Sequence, residues 1–479
     1  MSADVQYEPV IGLEIHVQLR TQTKMFCSCP LSFGEPPNTR TCPVCLGLPG
    51  TLPVTNAEAI HYGLMIGLAV GSELAPRSIF HRKNYFYPDL PKGYQISQFD
   101  EPLCSGGRLG EVRIHRVHLE EDAAKLTHVG ASGRIHGSDA SVVDFNRGGT
   151  PLAEIVTEPD VRSAEQASEW LRLLRTTLRQ LGVSDVNMEE GSLRCDANIS
   201  IRPVGQTELG TKTELKNMNS FRFIERGIRA EVARQERLLR DGEQVVQETL
   251  HFDPRTEAIT SLRSKEEAHD YRYFPEPDLP PVTITPEMLE RAQAAMPELP
   301  ADRERRLIDD VGLNAESARL LSWRAELGDL FEAALASGEA GDAEPQLVAN
   351  WVNELQARLG DEDPEASKVT PGALAKLAGM VASKAVTQGA AKQVLDTLVA
   401  DGGDPAQVVE AQGLGAVGGA DELAPVVRAA LDANPDVAEK LRGGDMKAIG
   451  VIIGHVMKET RGRADGKEVT AIVRSELGL

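Results

Sequence analysis

The stretch "GLEIHVQL", residues 12–19, alternates Leu13, Ile15, Val17 and Leu19 with Glu14, His16 and Gln18. A period of two predicts a half-buried strand, with side chains of one parity on one face. The outer face then carries an acid, an imidazole and an amide in a row, where plain solvation would be served as well by Lys, Thr or Ser. The pattern recurs in "SLRCDANISIRP" (192–203), which sets Leu193, Cys195, Ala197, Ile199 and Ile201 against Arg194, Asp196, Asn198, Ser200 and Arg202. "TKTELKNMNSF" (211–221) aligns Lys212, Glu214 and Lys216 if extended, and "RVHLEEDAAK" (116–125) sets His118 beside Glu120, followed by Glu121 and Asp122. With "VVQETLHFD" (245–253), these segments predict a mostly antiparallel sheet.

Two helices interrupt it. Ser163 and Gln166 form a capping-box pattern ahead of the stripe Trp170, Leu174, Leu178 and Leu181, and Gly182 closes that helix. A second begins near Asn219 or Ser220, buries Phe221, Ile224, Ile228 and Val232, stops at Asp241-Gly242, and carries Arg222, Arg226, Arg229 and Arg237 outside. The Pro-rich "YFPEPDLPPVTITPE" (273–287) marks a boundary. Beyond it, Ala, Leu, Glu and Arg recur at helical spacing, with Thr370 as cap and Pro371 at a first helical position. Glycines around 400–420 mark another boundary. The expectation is an α+β cradle domain over 1–292, an all-α helical domain over 293–405 and a small all-α tail over 406–479.

The chain has 479 residues, 41% hydrophobic and 26% charged, a soluble globular composition with room for several cores. No apolar run approaches the roughly 20 residues that span a bilayer, so no membrane partner is expected. The start "MSADVQYEPV" does not read as a signal peptide, and the expected compartment is the cytoplasm. A net charge of −21 argues against non-specific coating of nucleic acid but leaves room for local basic patches. The final module holds such basic residues: Lys447, Lys458, Arg461, Arg463, Lys467 and Arg474.

In "MFCSCPLSFGEPPNTRTCPVCLG" (25–47), Cys27 and Cys29 form a CxC pair and Cys42 and Cys45 a CxxC pair. Two close thiolate pairs can meet around Zn²⁺, and four thiolates leave no open position, so this site is expected to be structural. Cys104 and Cys195 stand alone and read as small buried residues.

Each polar strand face, taken singly, is what an antiparallel sheet with one wet side displays. Together they offer carboxylates and imidazole beside Lys, Arg and Asn, the mix that Mg²⁺ and phosphate recognition requires. The common phosphate cradles are missing: there is no G-x-x-x-x-G-K-[ST] loop and no G-x-G-x-x-G opening a helix after a strand. Nor is there a G-x-S-x-G elbow or an evident nucleophile–base arrangement for hydrolysing an amide.

"IGLEIHVQL", "CSCP…TCPVCLGLPGTLPV", "HRKNYFYPDLPKGYQISQ", "HLEEDAAKLTH", "DFNRGGTPLAEIVTEPD", "MEEGSLRCDANIS", "TELKNMNSF" and "DYRYFPEPDLPP" together resemble the B subunits of tRNA-dependent amidotransferases. The resemblance covers nearly the whole chain. It implies a heterotrimer with an amidase-type A subunit, which releases ammonia from glutamine, and a small C subunit. It also implies a role for the B subunit: holding a misacylated tRNA and using ATP to phosphorylate the side-chain carboxylate of Glu-tRNA(Gln) or Asp-tRNA(Asn), which ammonia then amidates. Matched residue by residue, Glu14, His16, Glu120 and Glu121 are implied as active-site groups. Glu14, His16, Glu121, Glu190 and Asp196 are implied as magnesium ligands. Asn146, Arg147, Thr150, Lys212, Glu214 and Lys216 are implied to line the nucleotide cradle. Lys83, Tyr85, Asp89 and Lys92 fall at the ammonia tunnel, and Lys447, Lys458, Arg461, Arg463 and Lys467 in a tRNA-binding tail.

Two other readings stay open at this level: a non-catalytic tRNA-binding scaffold of the same complex, and an unrelated metal-dependent carboxylate–amine ligase. The choice between Glu-tRNA and Asp-tRNA, and a cognate aminoacyl-tRNA synthetase as a further partner, also stay open.

Overall fold

The alternation at residues 12–19 belongs to a longer strand. In the computed structural model, which describes residues 5–479 apart from 33, 130–137, 219, 264–269, 361, 418, 419 and 461, β1 runs Tyr7–Gln18. Leu13, Ile15 and Val17 are buried, while Glu14, His16 and Gln18 are half-buried on the opposite face. Along the chain follow β2 (Phe80–Asn84), β3 (Tyr94–Gln98), β4 (Val112–Glu121), β5 (Pro151–Thr157), β6 (Leu193–Pro203), β7 (Thr213–Met218), β8 (Thr249–Asp253) and β9 (Ala258–Arg263). The main sheet has the order β9-β8-β7-β6-β1-β5-β4 and continues past β4 through the short strands Cys104–Ser105 and Glu73–Leu74. Its pairings are antiparallel except β7 with β8.

The opening strand is therefore central, with Ile15 facing Ile155 on one side and Cys195 on the other. β2 and β3 form a smaller sheet with Phe274–Pro275. The α+β class and the mostly antiparallel sheet agree with the strand periodicities. The strand expected at 245–253 is shorter, because its ladder with β7 starts only at Thr249, opposite Glu214.

Three helices cover the apolar side: α1 (Ala57–Ala69), α2 (Ala164–Gln180) and α3 (Phe221–Arg240). Ser163 Oγ accepts from Gln166 N at 3.0 Å, while Gln166 Oε1 accepts from Arg162 N at 2.7 Å, so the return bond lands one residue earlier than a regular capping box. Trp170, Leu174 and Leu178 are buried, and the Trp170 indole donates to Leu109 O at 2.9 Å. Ser220 caps α3, and Ile224 and Ile228 are buried as the spacing predicts. Arg226 departs from the expected free face: it holds Pro254 O and Glu257 at the β8–β9 turn.

α1 is absent from the sequence-level reading because it is buried on most sides and lacks a polar stripe. It lies very close to the sheet. A Cβ on Gly63 would stand 2.6 Å from Leu103 Cδ2 and 3.2 Å from Leu119. Cys104 and Cys195 are buried, as expected of small apolar groups.

The chain divides into two compact units, Met1–Leu299 and Pro300–Leu479. The second is helical. Its side chains gather in one buried cluster between Leu307 and Leu414 and another between Leu423 and Val473. Thr370 caps Pro371–Ala382 by accepting from Ala373 N, with proline in the first turn as the sequence predicts. We retain the finer divisions at 292 and 405 as a proposal. Among the described residues, no helix is long and apolar enough to cross a membrane.

Candidate active site and metal centre

The polar faces of four adjacent strands fall in register. His118 on β4 stands opposite Glu154 on β5, Glu154 opposite His16 on β1, and His16 opposite Arg194 on β6. His16 Nε2 lies 3.5 Å from Glu154 Oε2, 3.7 Å from Glu120 Oε1 and 3.7 Å from Glu14 Oε1. His118 Nε2 lies 3.3 Å from Glu154 Oε2 and 3.8 Å from Glu120 Oε2, which also accepts from Ser97 Oγ at 3.0 Å. Glu14 faces Asp196 across the β1–β6 ladder. The β6–β7 register shifts between Cys195 and Ala197, placing Asp196 at a bulge, a device that re-aims side chains beside functional sites. From β7, Lys216 Nζ reaches Asp196 Oδ2 at 3.0 Å and Glu214 Oε1 at 2.9 Å.

Burial opposes the charges of Glu154, His118 and Lys83, and their neighbours outweigh it. Desolvation alone would raise the Glu154 pKa; His118 and His16 outweigh it and hold the carboxyl well below the usual range. Burial works likewise against a charged His118, but Glu154 and Glu120 lift it to about 9. Glu14 moves the other way, raised by burial and by Glu154. Lys83, on β2, is raised despite burial by the nearby charges of Glu120 and Glu154.

Donor atoms of Glu14, His16 and Asp196 lie within 4.8 Å of one another, as do those of His16, Glu120 and Glu154. The two sets share His16, and the rest of their donors are carboxylate oxygens. Such an oxygen-rich set, open to β1's half-buried face, fits a hard divalent cation that keeps sites for phosphate oxygens, with His16 neutral when it ligates.

The four thiols of Cys27, Cys29, Cys42 and Cys45 also converge, their Sγ atoms within 4.8 Å of one another. Cys45 is held down to about 4, first by the bond from the Cys27 thiol and also by the Lys24 ammonium; burial lifts Cys29 to about 11. Lys24 is 1% exposed, with Nζ 3.7 Å from Cys45 Sγ and 3.1 Å from Phe145 O. Four converging thiols with a cation beside them fit a structural zinc ion, which takes four thiolate ligands.

Comparison with known proteins bears on this geometry. The profile of the GatB/GatE catalytic domain matches residues 9–290, and that of the GatB domain matches residues 329–477. The chain belongs to the GatB family. It is 50% identical to the B subunit of the aspartyl/glutamyl-tRNA(Asn/Gln) amidotransferase of Frankia casuarinae, covering 99% of this chain and 96% of that one. The like-named proteins of Anaeromyxobacter sp. (strain K) and Persephonella marina are 49% and 45% identical, with 98% and 99% of this chain covered and 99% and 100% of theirs.

Against the residues singled out in this GatB-family sequence, the structure brings Glu14, His16, Glu120 and Asp196 together. It sets Glu121 apart, because strand alternation turns it to the opposite face from Glu120. There Glu121 pairs with Lys92 and accepts from Ile96 N at 3.0 Å. Glu190 is exposed in a turn, its backbone N–H bonded to Asn187, and belongs to neither donor set. Of the residues expected at an ammonia tunnel, Lys83 borders the acid–imidazole group and Tyr85 stacks on Tyr87, while Asp89 is half-buried with its pKa raised by burial.

Asn146, Arg147 and Thr150 brace loops. Asn146 holds Arg40 N and Pro36 O, Arg147 holds Ala123 O and Ala124 O, and Thr150 donates to Arg147 O. Lys212 is exposed. In the tail Lys447, Lys458 and Lys467 are exposed, half-buried Arg463 donates to Thr460 O, and Arg461 lies outside the described residues.

Sequence reasoning passed over Glu154, the acid that touches both imidazoles. Its signal was present: one carboxylate inside the otherwise apolar run "PLAEIV", where a burial this complete demands a partner. Lys24 carried no such signal, since it is held by residues far along the chain.

Proposed function

We propose that this chain is the carboxylate-activating subunit of a glutamine-dependent tRNA amidotransferase, a carbon–nitrogen ligase acting on Glu-tRNA(Gln), Asp-tRNA(Asn) or both. The observation that carries the reading is the shared row of Glu14, His16, Glu120, Glu154 and Asp196, bordered by Lys83 and Lys216. The names of the relatives agree with it. The proposed partners are an amidase-type protein, a small third protein and the misacylated tRNA, in the cytoplasm.

An ammonia nucleophile cannot expel oxide from a carboxylate. In the proposed sequence, a side-chain carboxylate oxygen attacks the γ-phosphorus of ATP and ADP leaves. Ammonia then attacks the acyl carbon, inorganic phosphate leaves, and the nitrogen gives up a proton. Mg²⁺ held by the carboxylates and His16 would supply charge neutralisation on the phosphate oxygens. Lys83 and Lys216 add fixed positive charge at either border, Glu214 and Lys216 are the proposed nucleotide-side contacts, and Lys92 with Glu121 the proposed end of the ammonia route. The cysteine cluster, with zinc, is assigned to architecture.

The test is reconstitution of the chain with its two partners, ATP, Mg²⁺, glutamine and each misacylated tRNA, with separation of the aminoacyl products. Gln-tRNA or Asn-tRNA formation that requires this chain and consumes ATP is expected. Amidation that proceeds when the row is disabled would favour the scaffold reading.

For the tail, the combined variant Lys447→Ala, Lys458→Ala and Lys467→Ala is expected to weaken tRNA binding uniformly across sequences. It should also lower the slope of log affinity against log salt by about 3, one for each lysine–phosphate pair removed. An unchanged slope in a salt titration would remove the tail from the tRNA path.

A further inference from the structure

Aromatic residues make up only 4% of the chain, and its buried clusters are built largely of Leu, Ile, Val and Ala. Yet rings from three separate segments stand in one row. Tyr87 stacks on Tyr85 at 5.8 Å, Tyr85 meets Tyr271 edge-on at 6.4 Å, and Tyr271 meets Tyr273 at 6.0 Å. Tyr273 stacks on Phe99 at 4.3 Å with planes 8° apart, and Phe99 meets His81 at 6.3 Å. Four of the chain's seven tyrosines stand in this row. It is not a core, since Phe99 is 47% exposed and the tyrosines are only half-buried.

The row borders the acid–imidazole group. Tyr273 lies within electrostatic reach of Lys83, Glu120 and Glu154, and Lys83 Nζ is 4.9 Å from the Tyr271 ring centroid. The segment is held firmly. Asn84 Nδ2 donates to Tyr271 O at 3.1 Å and to Arg272 O at 2.8 Å, and Arg272, between the two tyrosines, adopts φ +47°, a conformation that costs a non-glycine residue energy.

We propose that this row is a stacking platform for the unpaired 3′ end of the tRNA, with a terminal base stacked against the exposed Phe99 and the acyl group directed to Glu120 and Glu154. The proposal rests on the function proposed above and names the subsite that would present its substrate. Unpaired bases stack on aromatic faces without regard to sequence, which suits an enzyme whose chemistry lies on the attached amino acid. Aromatic side chains drawn from three segments offer surface for more than one base, which fits consecutive nucleotides of a strand better than a lone mononucleotide. The Lys83 ammonium beside Tyr271, midway along the row, provides charge for a backbone phosphate.

The test uses the full chain assembled with its partners and an acceptor minihelix whose terminal adenosine is replaced by 2-aminopurine. Binding is expected to quench the fluorescence, and Phe99→Ala to weaken minihelix affinity by about 5- to 100-fold. Phe99→Leu, which keeps apolar bulk, should show the same loss, and Phe99→Tyr should restore both affinity and quenching. Melting curves of the variants check that folding is intact. The proposal is overturned if wild type amidates misacylated tRNA while the terminal base stays bright and Phe99→Ala binds normally. It is equally overturned if Phe99→Ala and Phe99→Leu weaken ATP binding and leave the minihelix untouched. Quenching by a complex that does not amidate would support the platform and count against the proposed reaction alone.

Discussion

Glu154→Gln is expected to lower ATP-dependent amidation by about 10²- to 10³-fold, the loss typical when one preorganised charge is removed from a site of developing negative charge. Glu154 is the hub of the row, with both imidazoles within 3.5 Å. Neutralising it removes a cation ligand and leaves His16 and His118 without their main counter-charge. Because the carboxylate is buried, a stability loss of about 3–5 kcal/mol should accompany the kinetic one. Glu14→Gln separates the two effects, since that side chain is 29% exposed and its replacement should depress the rate with little change in melting. In both variants tRNA binding and glutamine hydrolysis by the amidase partner should persist. Single-turnover assays that found near-normal amidation in both would leave the phosphorylation step without a home on this chain.

Cys42→Ser is expected to act on stability rather than chemistry. Removing one of four converging thiols opens the site, and the isolated full chain should lose stoichiometric zinc by elemental mass spectrometry. Where free metal exceeds its dissociation constant a thousandfold, binding stabilises the folded state by about 4 kcal/mol, and a loss of that order should appear in a denaturant titration of the variant. Chelation of wild type should reproduce the shift. Amidation at low temperature, normalised to folded protein, should stay near normal. If wild type carried no zinc, or the variant melted like wild type, the cluster would be four reduced thiols and no more.

The sheet was legible in the sequence because its strands are wet on one side, and alternation then records which residue faces which way. That made the faces of β1, β6 and β7 readable, and with them Glu14, His16, Asp196 and Lys216. Legibility failed where an element is buried on both sides. β5 and α1 show no period, so Glu154 and the close approach of α1 to the sheet went unread. Glu121 entered with Glu120 through the family pattern, which carries no strand parity, whereas neighbouring positions in a strand face apart. The loop residues Asn146 and Arg147 matched the family pattern, yet their side chains hold backbone carbonyls and amides, a role that only tertiary structure discloses. The basic tail residues lay beyond any period argument, since exposed lysines obey none.

The central position of the first strand governs how the polypeptide acquires its shape at the ribosome. Both edges of β1 stay bare until residues 151–157 and 193–203 have been made. At roughly 5–20 residues per second, that interval lasts on the order of ten seconds. Throughout it an apolar ribbon with unpaired edges is available to any passing neighbour, so this strand calls for chaperone cover until its flanks are made. A ribosome stalled before residue 193 would hold a strand whose second flank cannot yet close.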